Sequence, residues 1–107
     1  MSINLNKNIN YTLAQQVITA ANNHMATTGG GTYQQWYAGI TSDYKQRLAA
    51  HGADATAYPK VYDCVNDDTA RYVEKHFLAK GCKGNTGGSD YRGRYFYVYK
   101  INRNTRP

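Results

Sequence analysis

The segment WYAGITSDYKQRLAAHG, residues 36–52, decides the fold of this chain. Its first part, WYAGI, is rich in aromatic and branched residues and predicts a strand. Three residues that can each cap a helix follow at 41–43, and the helix that they introduce is expected to end at about His51, where Gly52 stops it. A strand that leads directly into a short helix places the polar side chains of that helix beside the sheet.

Hydrophobic periodicity and capping residues predict the other elements. The full set is a helix at 11–26, a strand at 32–40, a helix from Ser42 to about His51, a strand at 60–65, a helix at 67–80 and a strand at 94–101. This order, α-β-α-β-α-β without an internal repeat or linker, predicts a single domain over 1–107. We expect a small mixed α/β (α+β) fold, a three-stranded sheet flanked by three helices in two or three layers. The basic tail after the last strand is expected to fray.

Composition and charge restrict the class of protein. The chain has 107 residues, of which 41% are hydrophobic and 19% charged, as in a folded single domain. Its net charge of +6 favours acidic partners such as nucleic acid, although solubility alone could explain it. Eleven tyrosines are unusual for this length and suit a half-buried sheet face or a binding surface.

The sequence shows no secretory signal peptide and no apolar run that could span a membrane, so we expect a cytoplasmic protein without a membrane partner. Cys64 and Cys82 could form one disulfide, but two cysteines provide neither a disulfide scaffold nor the four ligands of a structural zinc site. Both are expected to be buried as small hydrophobic residues.

Glu74 occupies an unexpected place in the predicted helix at 67–80. Ala70, Val73 and Phe77 repeat at helical spacing and should face the core, and Glu74 lies on the same face. A buried carboxylate is unfavourable by several kcal/mol unless it is paired or bound to a cation. Glu74 is therefore either a cation ligand or a residue at the edge of the stripe with a Lys or Arg partner.

Arg47 and His51 present a similar case in the helix before it. Tyr44, Arg47, Leu48 and His51 fall at helical spacing and share one side. Arginine there could hold a carboxylate or phosphate with two hydrogen bonds, and histidine could transfer a proton near neutral pH. Alternatively, His51 is a helix C-terminal residue that the helix dipole favours.

These residues together resemble those of the GIY-YIG nuclease superfamily, over residues 36 to about 86. The family has a segment YIG-x-T…R-L…H. The corresponding residues here are Tyr37-Ala38-Gly39 at the end of a strand, then Ile40-Thr41, Arg47-Leu48 and His51. Glu74 resembles the family's metal-binding glutamate, and Asn85 its asparagine in the following loop.

The resemblance implies a metal-dependent endonuclease that hydrolyses phosphodiester bonds. Glu74 would hold Mg²⁺ or Mn²⁺, and waters and a phosphate oxygen would complete the shell. Arg47 would stabilise charge on the phosphate, Tyr37 would orient or deprotonate the attacking water, and His51 would complete the catalytic set. The implied partner is nucleic acid, DNA in preference to RNA, or a nucleotide.

One part of the family pattern is missing. Members carry a GIY strand about ten residues before YIG, which pairs with it and supplies a second tyrosine, but here that place holds HMATTGGG. RYFYVYKI is the candidate substitute, because Tyr95, Tyr97 and Tyr99 alternate onto one face and Phe96 and Val98 onto the other. These tyrosines could instead simply cover the sheet.

The loop GCKGNTGGSDYRGR is expected either to approach phosphate or to be an ordinary connection. The nucleic-acid contacts expected in and after this loop are Lys83, Asn85, Arg92, Arg94 and Tyr97.

Two other functions fit the sequence. The chain could be a catalytically inactive binding protein on the same scaffold, such as a small phage-encoded inhibitor or adaptor that holds a nucleotide or a host protein, with tyrosines at the interface. It could also be an RNA-binding module that stacks bases on the tyrosines of the last strand.

Overall fold

The structure, a computed structural model, describes residues 7–85 and 92–107. It confirms the mixed α+β class and the element order predicted from the sequence. The bounds are α1 Tyr11–Thr27, β1 Trp36–Thr41, α2 Tyr44–His51, β2 Lys60–Asp63, α3 Asp67–Lys80 and β3 Tyr95–Lys100. Each helix has a side-chain N-cap, since Asn10, Asp43 and Asn66 accept a hydrogen bond from a backbone N–H of the first turn.

The last strand of the chain lies in the middle of the sheet. The strand order is β1-β3-β2, and β3 is antiparallel to both neighbours. Tyr37 lies opposite Tyr99, and Gly39 lies opposite Tyr97. This register sets the tyrosines of β3 directly beside the YAG segment of β1.

The two faces of the sheet carry different side chains, because residues alternate along each strand. One face packs against α1 and α3 and forms the larger apolar core, which includes Trp36, Phe77 and Phe96. The other face carries Tyr37, Tyr97 and Tyr99, against which Leu48 of α2 packs. The domain therefore has three layers, with α2 alone on the tyrosine face.

Strand boundaries differ from the predicted ones at two places. The predicted strand at 32–40 begins only at Trp36, because Thr32 and Gln35 close a capping box around the 3₁₀ turn Tyr33–Gln35. The predicted strand at 60–65 ends at Asp63, because Val65 takes a left-handed φ of 73°.

The prediction of a frayed tail is wrong. The Asn102 N–H donates to Thr105 Oγ1, and the Thr105 hydroxyl and N–H both donate to the Asn102 carbonyl. The Arg106 N–H donates to the His51 carbonyl at 2.6 Å. These bonds hold the tail against the end of α2.

Cys64 and Cys82 are buried free thiols, as expected for small core residues. In the part of the chain that the structure describes, none of the helices has the length and apolar character needed to cross a bilayer.

Candidate active site

A small cleft opens at the β1 edge of the sheet, where α2 and α3 approach from opposite faces. Its volume is about 30 Å³, enough for a water molecule or a small cation. The lining residues are Tyr37, Gly39, Ile40, Arg47, His51, Glu74, Asn85 and Tyr97. The structure thus brings together all four predicted catalytic residues and two of the five predicted nucleic-acid contacts.

The glycine of the YAG segment makes room for a tyrosine of β3. A Cβ atom on Gly39 would lie 2.5 Å from the Tyr97 hydroxyl oxygen and 2.6 Å from Cζ of the same ring. These separations are shorter than any van der Waals contact. Glycine at position 39 therefore lets the Tyr97 ring lie across β1 and point its hydroxyl into the cleft.

His51 connects the two tyrosines of β3 with the C-terminal tail. Its Nε2 lies 3.0 Å from the Tyr97 hydroxyl, and its Nδ1 lies 2.7 Å from the Arg106 carbonyl oxygen and 3.1 Å from the Tyr99 hydroxyl. The Tyr37 ring packs against His51 with centroids 4.6 Å apart. At 8% exposure, the imidazole is an interior group held on several sides.

The neighbours of His51 define its protonation. A carbonyl oxygen can only accept, so the 2.7 Å contact with Arg106 assigns the proton to Nδ1. Nε2 of the neutral ring then accepts the hydrogen bond that the Tyr97 hydroxyl donates. Burial lowers the pKa of His51, the Arg106 carbonyl opposes this, and the Arg47 charge lowers the pKa further. His51 is also the last residue of α2, so the alternative that it is a helix C-terminal residue agrees with its position.

The pKa of Tyr97 is raised, mainly by burial. Electrostatic interactions with Tyr37 and Glu74 raise the pKa of Tyr97 further, whereas the positive charge of Arg47 lowers it. Arg47 therefore acts electrostatically on both members of the Tyr97–His51 pair, which fits its place on the cleft wall.

Glu74, the single glutamate of the sequence, is 7% exposed. Its burial within the apolar stripe of α3 does not fit the alternative that places it at the edge of the stripe. Whether a Lys or Arg side chain is its partner stays a prediction. Burial raises the pKa of Glu74, the positive charge of Arg71 lowers it, and the negative charge of Asp67 adds to the increase. A carboxylate in this state gains from any cation that enters the cleft.

The remaining predicted nucleic-acid contacts do not line the cleft. Lys83 is exposed, and its backbone pairs with β1 through hydrogen bonds to Trp36 and Ala38. Arg94 makes a bidentate ion pair with Asp63 of β2, with Nε 2.9 Å from a carboxylate oxygen. Arg92 is exposed, and the loop residues 86–91 lie outside the described residues.

The tyrosine face of β3 is closed to bases. Tyr97 is 2% exposed and Tyr99 is fully buried, and the Tyr37 ring stacks on Tyr99 with centroids 5.2 Å apart. Bases need exposed rings for stacking, so Tyr97 and Tyr99 do not fit the stacking role of the RNA-binding alternative, whereas Tyr95 is only half-buried.

Sequence reasoning did not single out two residues that contact His51. Alternation placed Tyr99 on the same strand face as Tyr97 without singling it out as a site residue, and Arg106 takes part through its backbone, which carries no sequence pattern. Thr41 has a structural role, because its Oγ accepts a hydrogen bond from the Asp43 N–H at 3.1 Å where β1 turns into α2. A comparison of the chain with protein-family models, curated proteins and solved structures finds no match, so the similarity to GIY-YIG nucleases stays a prediction from the residues.

Proposed function

We propose that this protein is a GIY-YIG-like nucleic-acid-binding domain that cleaves phosphodiester bonds with a divalent metal. The observation that carries the proposal is the convergence of Tyr37, Arg47, His51, Glu74 and Tyr97 on one cleft. Four of these residues come from β1, α2 and α3 at the separations of the resemblance. Tyr97 comes from β3, which takes the position beside β1 where the resemblance requires a tyrosine-bearing strand.

The donors in the cleft fit a hard cation. Glu74 offers a buried carboxylate, and Asn85 offers a neutral oxygen at the same cleft. Within the described residues no group of three His, Cys, Asp or Glu side chains converges, so waters and phosphate oxygens would complete the shell. A bound Mg²⁺ or Mn²⁺ would supply the positive charge that offsets the charge of the phosphate.

Arg47 would bind a non-bridging phosphate oxygen. It lines the same cleft as Glu74, and a guanidinium can hold a phosphate oxygen with charge-assisted hydrogen bonds. The small volume of the cleft means that the phosphate lies at its mouth, with the rest of the nucleic acid outside.

Tyr97 and His51 would move the proton of the attacking water. Tyr97 takes a proton from the water as its own hydroxyl proton passes to Nε2 of His51, so the phenol is regenerated and the imidazolium carries the charge. The hydroxide formed would attack phosphorus, the P–O bond to the sugar would break with its electron pair on the leaving oxygen, and that oxygen would take a proton from solvent water. Tyr37, stacked against Tyr97 with ring centroids 6.1 Å apart, would orient the water.

The test is cleavage of supercoiled plasmid and of labelled single-stranded DNA and RNA with Mg²⁺ or Mn²⁺, and with EDTA as a control. We expect metal-dependent cutting that Glu74→Ala abolishes and that Arg47→Ala slows by about 10²–10³-fold, the effect of removing one electrostatic stabiliser. Lys45→Ala is the matched control for Arg47, since it removes one charge from the exposed side of the same helix. Cutting that survives EDTA or both cleft substitutions would refute the proposal.

A second candidate function is supported by a separate surface. Tyr72 on α3 is 40% exposed and meets Tyr11 of α1 edge to face at 5.2 Å, away from the cleft residues. Such a pair is suited to a protein interface. Absence of cutting together with unchanged folding would favour the inactive binding protein, with this pair as the first place to look for its partner.

A further inference from the structure

We propose that the C-terminal tail is a positioning element of the active site: the backbone of Arg106 sets the tautomer of His51 and so makes Nε2 the proton acceptor for Tyr97. This inference rests on the function proposed above. If it is correct, the site needs the main chain of residues 102–106 in addition to the side chains of the predicted site residues.

The tail contacts His51 with two backbone atoms of one residue. The Arg106 N–H donates to the His51 carbonyl at 2.6 Å, and the Arg106 carbonyl accepts from Nδ1 at 2.7 Å. The first bond also satisfies a carbonyl at the end of α2 that has no partner within the helix. Together the two bonds hold both the main chain and the ring of His51.

The acceptor-only character of the carbonyl is what decides the tautomer. The Tyr99 hydroxyl, 3.1 Å from the same Nδ1, can either donate or accept and is compatible with both tautomers. Without the Arg106 carbonyl, Tyr99 could donate to Nδ1 and leave the proton on Nε2. His51 would then donate to Tyr97 rather than accept from it, and the proton of Tyr97 would have no acceptor.

The tail is built to reach this position. The Asn102 N–H donates to Oγ1 of Thr105, whose own Oγ–H donates back to the Asn102 carbonyl, and these bonds close a turn. Gly52 allows the close approach, because a Cβ atom there would lie 2.8 Å from the Asn104 carbonyl oxygen. Glycine at position 52 thus ends α2 in a left-handed conformation and also leaves space for the tail.

The test is the tautomer of His51 in protein with ¹⁵N-labelled histidine, read from the Nδ1 and Nε2 chemical shifts at pH 8 without metal or substrate. His24 is an internal control, because its Nε2 lies 2.7 Å from the Tyr58 carbonyl and must carry the proton. We expect the Nδ1–H form for His51 and the opposite form for His24. His51→Gln assigns the signals.

Deletion of residues 102–107 removes the Arg106 carbonyl and should shift His51 towards the Nε2–H form while His24 stays unchanged. Thr105→Val keeps length and charge and removes the two hydroxyl hydrogen bonds of the turn, although the backbone bond from the residue 105 N–H to the Asn102 carbonyl remains, and it should shift His51 in the same direction. Arg106→Ala, which keeps both backbone atoms, and Tyr99→Phe should keep the Nδ1–H form. An Nε2–H form in the intact protein, or an Nδ1–H form that persists after deletion of residues 102–107, would overturn the inference.

Kinetics separate this inference from the proposed function. In Thr105→Val we expect kcat to fall by about 10²-fold with KM unchanged, since a positioned general base contributes at least that much. An unchanged kcat would refute the positioning role even if the tautomer shifts. A protein that cuts no nucleic acid would refute the proposed function, whereas the tautomer result would still show whether the tail controls His51.

Discussion

Gly39→Ala should disrupt the candidate site although it adds one methyl group to a strand. The new Cβ would lie 2.5, 2.6 and 2.9 Å from the hydroxyl oxygen, Cζ and Cε1 of Tyr97. Normal carbon contacts are about 3.5–4.0 Å, so the ring must move by about 1 Å. The 3.0 Å hydrogen bond from Tyr97 to His51 cannot survive a displacement of that size.

The expected loss of stability is that of an overpacked core, about 1–3 kcal/mol. For a domain of this size, each kcal/mol lowers Tm by about 4–8 °C. Urea unfolding is the assay, with the free energy taken from the midpoint at an unchanged m-value. Nuclease activity should fall with the same substitution, because Tyr97 and His51 no longer meet.

A double-mutant cycle shows whether the ring is the cause. Tyr97→Leu removes the atoms that clash, so Gly39→Ala should be less destabilising in that background by about 1 kcal/mol or more. Tyr97→Phe keeps Cζ and Cε1 and is the matched control in which the clash remains. Equal destabilisation in all three backgrounds would refute the argument, because it would assign the effect to the strand backbone.

Three further predictions concern charge and backbone strain. Burial raises the pKa of Glu74, so in EDTA the folded state binds more protons than the unfolded state, and stability is lost as the pH rises from about 4.5 through the raised pKa. Glu74→Gln should abolish this loss of stability at rising pH. Asp54 is the contrasting case, because hydrogen bonds from Thr56 lower the pKa of its carboxylate, so Asp54→Asn should instead reduce the loss of stability at falling pH. Burial lowers the pKa of His51, so the free energy of unfolding should fall as the pH drops below about 6.5, by at most about 1.4 kcal/mol per pH unit. If His51→Gln shows the same dependence of the free energy of unfolding on pH as the intact protein, this prediction is contradicted. Val65→Asn should raise the free energy of unfolding by about 1 kcal/mol. Val65 is a β-branched residue at φ 73° with 63% exposure, and asparagine tolerates that conformation better. A lower free energy of unfolding would show that the valine side chain makes a needed contact.

Local signals in the sequence determined the elements and their order. Capping residues and glycine stops set the ends of α2 and α3, because these signals act within one turn of the helix. The alternation in RYFYVYKI separated the tyrosines from Phe96 and Val98, because side chains on a strand point to opposite faces. The helical period also placed Glu74 on the buried face of α3, where the structure has it.

Only the tertiary structure decided which strand lies beside the YAG segment and what contacts His51. Pairing of β1 with β3 joins residues that are about 60 positions apart, and no local pattern encodes such a pair. The packing of the Tyr97 ring over Gly39 depends on that register, and the tautomer of His51 depends on a backbone carbonyl 55 residues away. Hydrogen bonds to the main chain use atoms that every residue has, so side-chain identity marks the residues that could act, and the fold decides how they are oriented.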